Sequence, residues 1–246
     1  MYGVLRAQDA RSLSASGVAD ADVREVEHDG IAALVSTVEG SALAAAREVR
    51  AHWRVLEEAS SSASVLPVRF GTVLESEDAV RTTLLEPNSE RLSAMLGELD
   101  GRVQLTVKGI YDEELLLREV VRDAPAIAAM KRKLDKVPKE AAYYGRIQMG
   151  EAVAAEVDRR RADDTGLALD RLAPLAVASR SEDLSTADGA FNLAFLVERE
   201  RMDGFSKAVS ELAQELGERL QIRYVGPLPP YSFADMELAG EGATWG

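Results

Sequence analysis

The sequence predicts an α+β protein of two domains, the second of them ferredoxin-like, on three observations. Segments with the period-2 alternation of strands and segments with the 3.6 period of helices interleave along the whole chain. From Gly101 onward their order is β, a long helical stretch, β, β, α, β, which is the split β-α-β arrangement with an elaborated first crossover. The length, 246 residues, suits two domains of about 100–150 each. Residues 1–100 are assigned to a smaller mixed sheet with helices. Residues 101–230 form the ferredoxin-like domain, and residues 231–246 an extended C-terminal tail.

In the first domain, Met1–Arg6 alternates as a strand, and Asp9–Ala21 is a polar loop or short helix. Val23–Glu27 alternates with charge. His28-Asp29-Gly30 supplies hairpin-turn chemistry, and Ile31–Val38 returns as an apolar, more central strand. Ser41 is placed to cap a helix whose apolar stripe is Ala45, Val49, Trp53 and Leu56. Val65–Val73 reads as the next strand, with Pro67 marking an edge, a bulge or its start. Ser76 caps a short helix with Glu77 and Asp78 in its first turn, Pro87-Asn88 breaks it, and Leu92, Met95, Leu96 and Leu99 form a further stripe.

In the second domain, Arg102–Ile110 is a strand, Asp112 starts a helix through Val121, and Pro125 opens another through Asp135. After a break at Val137-Pro138, a long helix from Lys139 carries Tyr143, Ile147, Gly150, Ala154 and Val157 in a heptad-like seam. Core packing is the expected use of that seam, and Arg159-Arg160-Arg161 near the helix end suits its negative pole. Leu172–Ser179 and Ala190–Glu198 are two strands. Asp203 caps a helix with Phe205, Ala208, Val209, Leu212, Leu216 and Leu220 on one face, and Gln221–Val225 closes the set.

Composition narrows the function classes. Apolar residues make up 46% of the chain, so a real core is expected. The absence of cysteine excludes disulfides, thiolate zinc sites and cysteine nucleophiles. No signal peptide is visible at the N-terminus, and no apolar run approaches the roughly 18–20 residues of a membrane span, so a cytoplasmic protein is expected. The net charge of −13 argues against nucleic acid or anionic membrane as a general partner. That charge is uneven: residues 1–100 carry 9 arginines, no lysine and 17 acids (−8), whereas residues 118–161 carry 11 basic and 7 acidic residues (+4). The basic island either faces an acidic partner or pairs with the chain's own acids.

Catalytic patterns are missing. Neither GxxxxGK[ST] nor GxGxxG occurs, and there is no GxSxG. His28 falls in a turn, and His52 falls on an exposed helix flank four residues from Glu48. Neither has a second histidine at i+3 or i+4, so no metal is expected. The neighbours Glu57-Glu58 and Asp163-Asp164 point about 100° apart on a helix and share no proton site. Nor does Ala190–Glu198 fit an RNA-recognition strand: Phe191, Leu193, Phe195 and Val197 share one face with no basic residue, and read as core. No cofactor and no enzymatic activity are expected.

The stretch Gln221–Phe233 (QIRYVGPLPPYSF) is where a strand meets Pro227, Pro229 and Pro230, which favour an extended path and carry Tyr231 and Phe233 beyond it. It is either a strap packed on its own domain or a ribbon offered to a partner. Together with two other motifs it resembles the gas vesicle protein F/L family. Pro67-Val68-Arg69-Phe70-Gly71-Thr72 stands where that family has a PVRFGT strand. Phe191-Asn192-Leu193-Ala194-Phe195-Leu196-Val197 is similar to its N-x-AFLV strand, and Gly226–Phe233 resembles its GPWPPYSF ending. Two departures are Leu228, where tryptophan is common, and Leu105 within Gln104–Lys108, where the family has EWGVK.

The resemblance implies a non-catalytic accessory protein of gas vesicle formation with two α+β domains, the second ferredoxin-like. It implies binding to the small shell protein and other gas vesicle proteins, as an assembly factor or as a minor component at the gas-facing surface. Such a shell subunit is apolar and strand-forming, and an open sheet edge or an apolar groove would hold it. The residues expected to shape the partner surface are Arg69, Phe70, Pro227, Pro229, Pro230, Tyr231 and Phe233. The alternative is a small-molecule-binding regulatory protein, a use to which ferredoxin-like sheets are often put.

Overall fold

The structure, a computed structural model, describes residues 1–10, 13–38, 46–138, 141–184 and 186–234. It divides into two compact units, one built from Met1–Gln104 with the described residues from Gly226 on, the other from Leu105–Val225. It is mixed α+β, with a four-stranded sheet in each half of the element order.

The first sheet contains β1 (Gly3–Arg6), β2 (Arg24–His28), β3 (Ile31–Val35) and β4 (Val65–Pro67), in the order β2-β3-β1-β4, with every neighbouring pair antiparallel. His28 stands opposite Ile31, and the two residues between them, Asp29 and Gly30, have φ of 45° and 79°. Two positive φ values make the turn whose twist matches the strands it joins. All five residues of β3 are buried, as its apolar run predicts, because helices cover both faces of the sheet. The strand ends at Val35, short of the expected Val38.

On one face lies α1 (Ala46–Ser62). The expected stripe is corrected: Val49 is exposed and Trp53 half-buried, while Glu48, Ala51, His52, Val55, Leu56 and Ala59 face inward. Small residues decide the phase. Ala51 and Ala59 let the helix settle close to the sheet, and a Cβ on Gly3 of β1 would lie 3.0 Å from Leu56 Cδ2. The expected cap Ser41 and stripe residue Ala45 lie outside the described residues.

The expected strand Val65–Val73 stops at Pro67, on the sheet edge. Gly71, with φ of 93°, then turns the chain, and both Thr72 N–H and Thr72 Oγ1 donate to the Arg69 carbonyl at 3.2 and 2.9 Å. Ser76 caps α2 (Glu77–Ala79) as expected, its Oγ accepting from Ala79 N–H at 3.0 Å. Pro87-Asn88 does not break the run. A π-helical stretch, Val80–Leu85, leads straight into α3 (Glu86–Glu98), whose first turn holds Pro87. A wider turn accommodates a ring that has no N–H to close the ladder, and Asn88 Nδ2 donates back to the Leu84 carbonyl at 2.8 Å. Leu92, Leu96 and Leu99 are buried and Met95 half-buried.

The second sheet contains β5 (Arg102–Tyr111), β6 (Ala178–Ser181), β7 (Gly189–Glu198) and β8 (Leu220–Leu228), in the order β6-β7-β5-β8. Gly109 of β5 is required by a close approach: a Cβ there would meet the Phe191 ring of β7 at 2.8 Å. The helices are α4 (Glu113–Asp123), α5 (Pro125–Leu134), α6 (Tyr143–Leu172) and α7 (Met202–Leu216). Asp112 caps α4 through Leu115 N–H at 3.0 Å, and Pro125 opens α5 as expected.

Three expectations about α6 are corrected. It runs past Arg159-Arg160-Arg161 to Leu172, because those arginines pair with Glu156, Asp158 and Asp163 one turn away and nothing breaks the helix before Pro174. The strand expected over Leu172–Ser179 is therefore only Ala178–Ser181. The seam is not core: Tyr143, Ile147, Gly150 and Ala154 are exposed and Val157 half-buried, while Asp164, Ala168 and Leu172 face inward. Asp203 lies inside the first turn of α7 and makes no cap, but Phe205, Val209, Leu212 and Leu216 are buried as expected. The last strand continues past Val225 to Leu228.

An ionic centre fastens α6 to the second sheet. Asp164, buried, receives both Arg219 guanidinium nitrogens at 2.8 Å and the Tyr111 hydroxyl at 2.6 Å. Arg219 Nε also reaches Glu119 on α4 at 2.9 Å, and Glu119 meets Arg160 at 3.4 Å. Burial beside Asp164 holds the Tyr111 hydroxyl far above its ordinary range, so it stays a donor. Arg219→Ala strands the buried carboxylate and is expected to cost about 3 kcal/mol. Tyr111→Phe should cost roughly 1.5 kcal/mol. The triple change Asp164→Leu, Arg219→Leu and Tyr111→Phe, which leaves neither the carboxylate nor the phenol stranded, should recover most of the first loss, as read from urea unfolding midpoints.

Candidate functional site

The chemistry-bearing residues of the first unit converge on His52. On α1 its ring is only 3% exposed, the opposite of the exposed flank expected from sequence. The Tyr2 ring lies 5.2 Å from it, and Phe70 meets it edge-on at 5.5 Å. His52 Nε2 is 3.0 Å from the Val68 carbonyl, which can only accept, so this nitrogen carries the hydrogen and donates. The Tyr231 oxygen is 3.2 Å from the same nitrogen. Burial drives the His52 pKa down to about 4, against the modest opposing pull of the Val68 carbonyl.

Around this ring the other contacts are short and specific. Tyr231 stacks on Trp53 at 5.7 Å with planes 9° apart. Ser232 N–H donates to Gln104 Oε1 at 2.9 Å. Tyr2 OH meets Ser36 Oγ and accepts from Val18 N–H at 2.8 Å. Beside them is a recess of about 210 Å³, walled by Tyr2, Val18, Val35, His52 and Phe70. A cavity of about 150 Å³ already admits benzene. The recess is therefore large enough for one apolar side chain.

Of the residues expected at a partner surface, Arg69 is exposed on the turn after β4 and Phe70 is half-buried at the recess. Pro227 is exposed on β8, whereas Pro229 and Pro230 are buried. Tyr231 and Phe233 are half-buried in a 3-10 turn closed by Phe233 N–H to the Pro230 carbonyl at 3.0 Å, which is the strap of the two arrangements expected; the tail expected to be extended over 231–246 begins with that turn, and residues 235–246 lie outside the described ones. Phe70 and Tyr231 pack against one apolar cluster that includes Tyr2, Leu34, Val55 and Leu56. His52 and Trp53 were not expected there. The signal that finds them is the small-residue phase Ala51, Val55, Ala59, which turns His52 inward and leaves Trp53 at the margin.

Among the described residues no group of three or more histidines and carboxylates could hold a metal ion, and no helix is long and apolar enough to cross a membrane. The arrangement joins an apolar wall of Tyr2, Val18, Val35 and Phe70 to a polar one that includes Ser36, Thr37, Glu75 and Glu77, so it can seat an apolar group on one side with polar groups facing it on the other.

Burial of neutral His52 has a pH signature. The folded pKa lies below the ordinary 6.5, so the unfolded chain binds the extra proton as pH falls. Stability from this group is complete above about pH 6.5 and is lost progressively down to about pH 4, by up to roughly 3 kcal/mol. Chemical denaturation across that range should show the slope, and His52→Gln should flatten it.

The family model described as gas vesicle synthesis protein GvpL/GvpF matches residues 1–235. Gas vesicle protein F of Streptomyces sp. (strain CB03234) is 34% identical over 238 residues, covering 96% of this chain and 98% of that protein. The crystal structure of GvpF from Anabaena sp. PCC7120 aligns with a TM-score of 0.79 at 27% identity, covering 96% of this chain and 94% of that one. GvpF from Microcystis aeruginosa aligns with a TM-score of 0.78 at 27% identity, covering 96% and 98%. The resemblance carried by the three short motifs thus extends over nearly the whole sequence and both sheets, and the chain belongs to the gas vesicle GvpL/GvpF family.

Proposed function

We propose that this gas-vesicle-related chain is a non-catalytic accessory protein that binds the small shell protein and other gas vesicle proteins, during vesicle assembly or as a minor component. The observation that carries the reading is the aromatic-walled recess of about 210 Å³ at Phe70. An apolar subunit needs its side chains sheltered before it polymerises, and a preformed recess shelters one with little ordering cost. Arg69, exposed on the turn that carries Phe70, supplies a charged group for orientation. The proline-bound strap Pro227–Phe233, with Pro229, Pro230 and Tyr231, holds α1 and the recess in shape. We read the two compact units as its two domains and the second as ferredoxin-like, on the strand order β6-β7-β5-β8. Its place of action is the cytoplasm and the vesicle, including the gas-facing surface. The recess is also what a small-molecule regulator would use, and that second reading rests on it alone.

Tyr231→Ser removes the ring stacked on Trp53 and is expected to cost about 3 kcal/mol, so it tests the strap rather than the binding. Phe70→Ala and Arg69→Glu probe the binding, since one side chain is half-buried and the other exposed. Each should weaken capture of purified shell subunit at least about tenfold, or roughly 1.4 kcal/mol. Arg69→Glu should leave the melting curve little changed, whereas Phe70→Ala also removes a ring packed on the cluster beside His52 and lowers stability, so its capture is read below its own melting transition. Unaltered capture by both variants would reject the recess. A rise in melting temperature with a metabolite, and no capture by the wild-type chain, would favour the regulator.

A further inference from the structure

Beyond shell binding, one surface of the second unit stands open. The last turn of α5 is seated on the first turn of α6: a Cβ on Gly145 would meet Leu134 Cδ2 at 2.6 Å. That contact brings the last turn of α5, which carries Lys131, Arg132 and Lys133, to the first turn of α6, which carries Tyr143, Tyr144 and Ile147. Tyr143 and Tyr144 are 64% and 79% exposed, with their rings edge-on to each other at 5.5 Å. Exposed paired tyrosines among cations have the composition of an interface core rather than of ordinary solvated surface. Lys131, Arg132, Lys133, Lys136 and Arg146 are all exposed and have no ion-pair partner among the described residues.

The chain also carries the complement. Asp20, Asp22, Glu25, Glu27 and Asp29 are exposed around the edge strand β2, and none has an ion-pair partner among the described residues. The neighbouring Arg24 is taken up by Glu77 at 3.4 Å. We propose that the α5–α6 surface docks on the acidic β2 edge of a second copy of this chain, the two tyrosines forming the apolar centre of the contact and the lysines and arginines its rim. The net charge of −13 makes copies repel at long range. At about 0.15 M salt the Debye length is about 8 Å, so that repulsion is screened while charges in direct apposition still attract.

Sedimentation velocity of the full chain tests this. Expected is a concentration-dependent rise in average mass at about 0.15 M salt that falls back to monomer at about 1 M. The triple change Lys131→Glu, Arg132→Glu, Lys133→Glu should weaken association at least tenfold, and so should Glu25→Lys with Glu27→Lys (order of magnitude for apposed charges). An equimolar mixture of the two variants should associate again, because their altered surfaces complement each other. A wild-type chain that stays monomeric at every salt concentration overturns the proposal. So does a mixture that fails to associate, or a monomer that co-sediments instead with anionic phospholipid vesicles, which would transfer the surface to a membrane.

Discussion

Tyr231 stacked on Trp53 is the contact on which the first unit depends. Its hydroxyl lies beside His52, 179 positions away along the chain, so the unit is completed by residues that follow everything in the second unit. Closing so long a loop carries a conformational cost that grows only slowly with length, whereas the buried aromatic area is gained in full. The prolines before Tyr231 reduce that cost further, since they limit the unfolded chain's freedom as much as they shape the folded one. They also explain the composition of the strap: Pro229 and Pro230 are buried, need no N–H partner there, and deliver the ring against α1.

Two buried polar centres are stabilised by opposite means. His52 has a carbonyl and a hydroxyl as hydrogen-bond neighbours and no carboxylate, so desolvation, aided by the chain's N-terminal ammonium, prevails and the ring stays neutral. Asp164 has a bidentate guanidinium and a phenol, so its charge survives burial. Glu48, one turn before His52, is buried as well and is kept below its usual pKa chiefly by Ala19 N–H, which donates to it at 2.7 Å. None of the three departs from a structural explanation. The feature left over is the recess beside His52, which is walled by side chains and filled by none of the residues that line it.

Much of the fold was legible because local chemistry and tertiary need agreed. Asp29-Gly30 dictates the turn between β2 and β3, Asp112 and Ser76 cap the helices they precede, and the apolar face of α7 is the buried one. Legibility failed where two signals competed. On α1 the larger side chains Val49 and Trp53 drew the stripe one position away from the face that small Ala51 and Ala59 allow to approach the sheet. On α6 a triple arginine looked like an end, yet the carboxylates one turn on either side made it a favourable interior. At Pro87 the ring rule held locally, but a π-helical turn absorbed it. The recess was half legible: Phe70 of the PVRFGT motif lines it, while its histidine wall required a helix phase that sequence alone misassigned.

The edges of the two sheets bear on how an apolar, strand-forming subunit would be held. Edge pairing would be the simplest capture, but each edge carries a feature that resists it. The β2 edge exposes Glu25 and Glu27, and β4 is three residues long and ends on Pro67. The β6 edge has only four residues, one of them Arg180, and β8 is interrupted by Pro227, which has no N–H to offer. Such edges keep a chain from being drawn into a strand polymer. The proposed capture through a side-chain recess rather than a backbone ladder is compatible with such edges, because a recess saturates with one side chain and offers the next subunit no template.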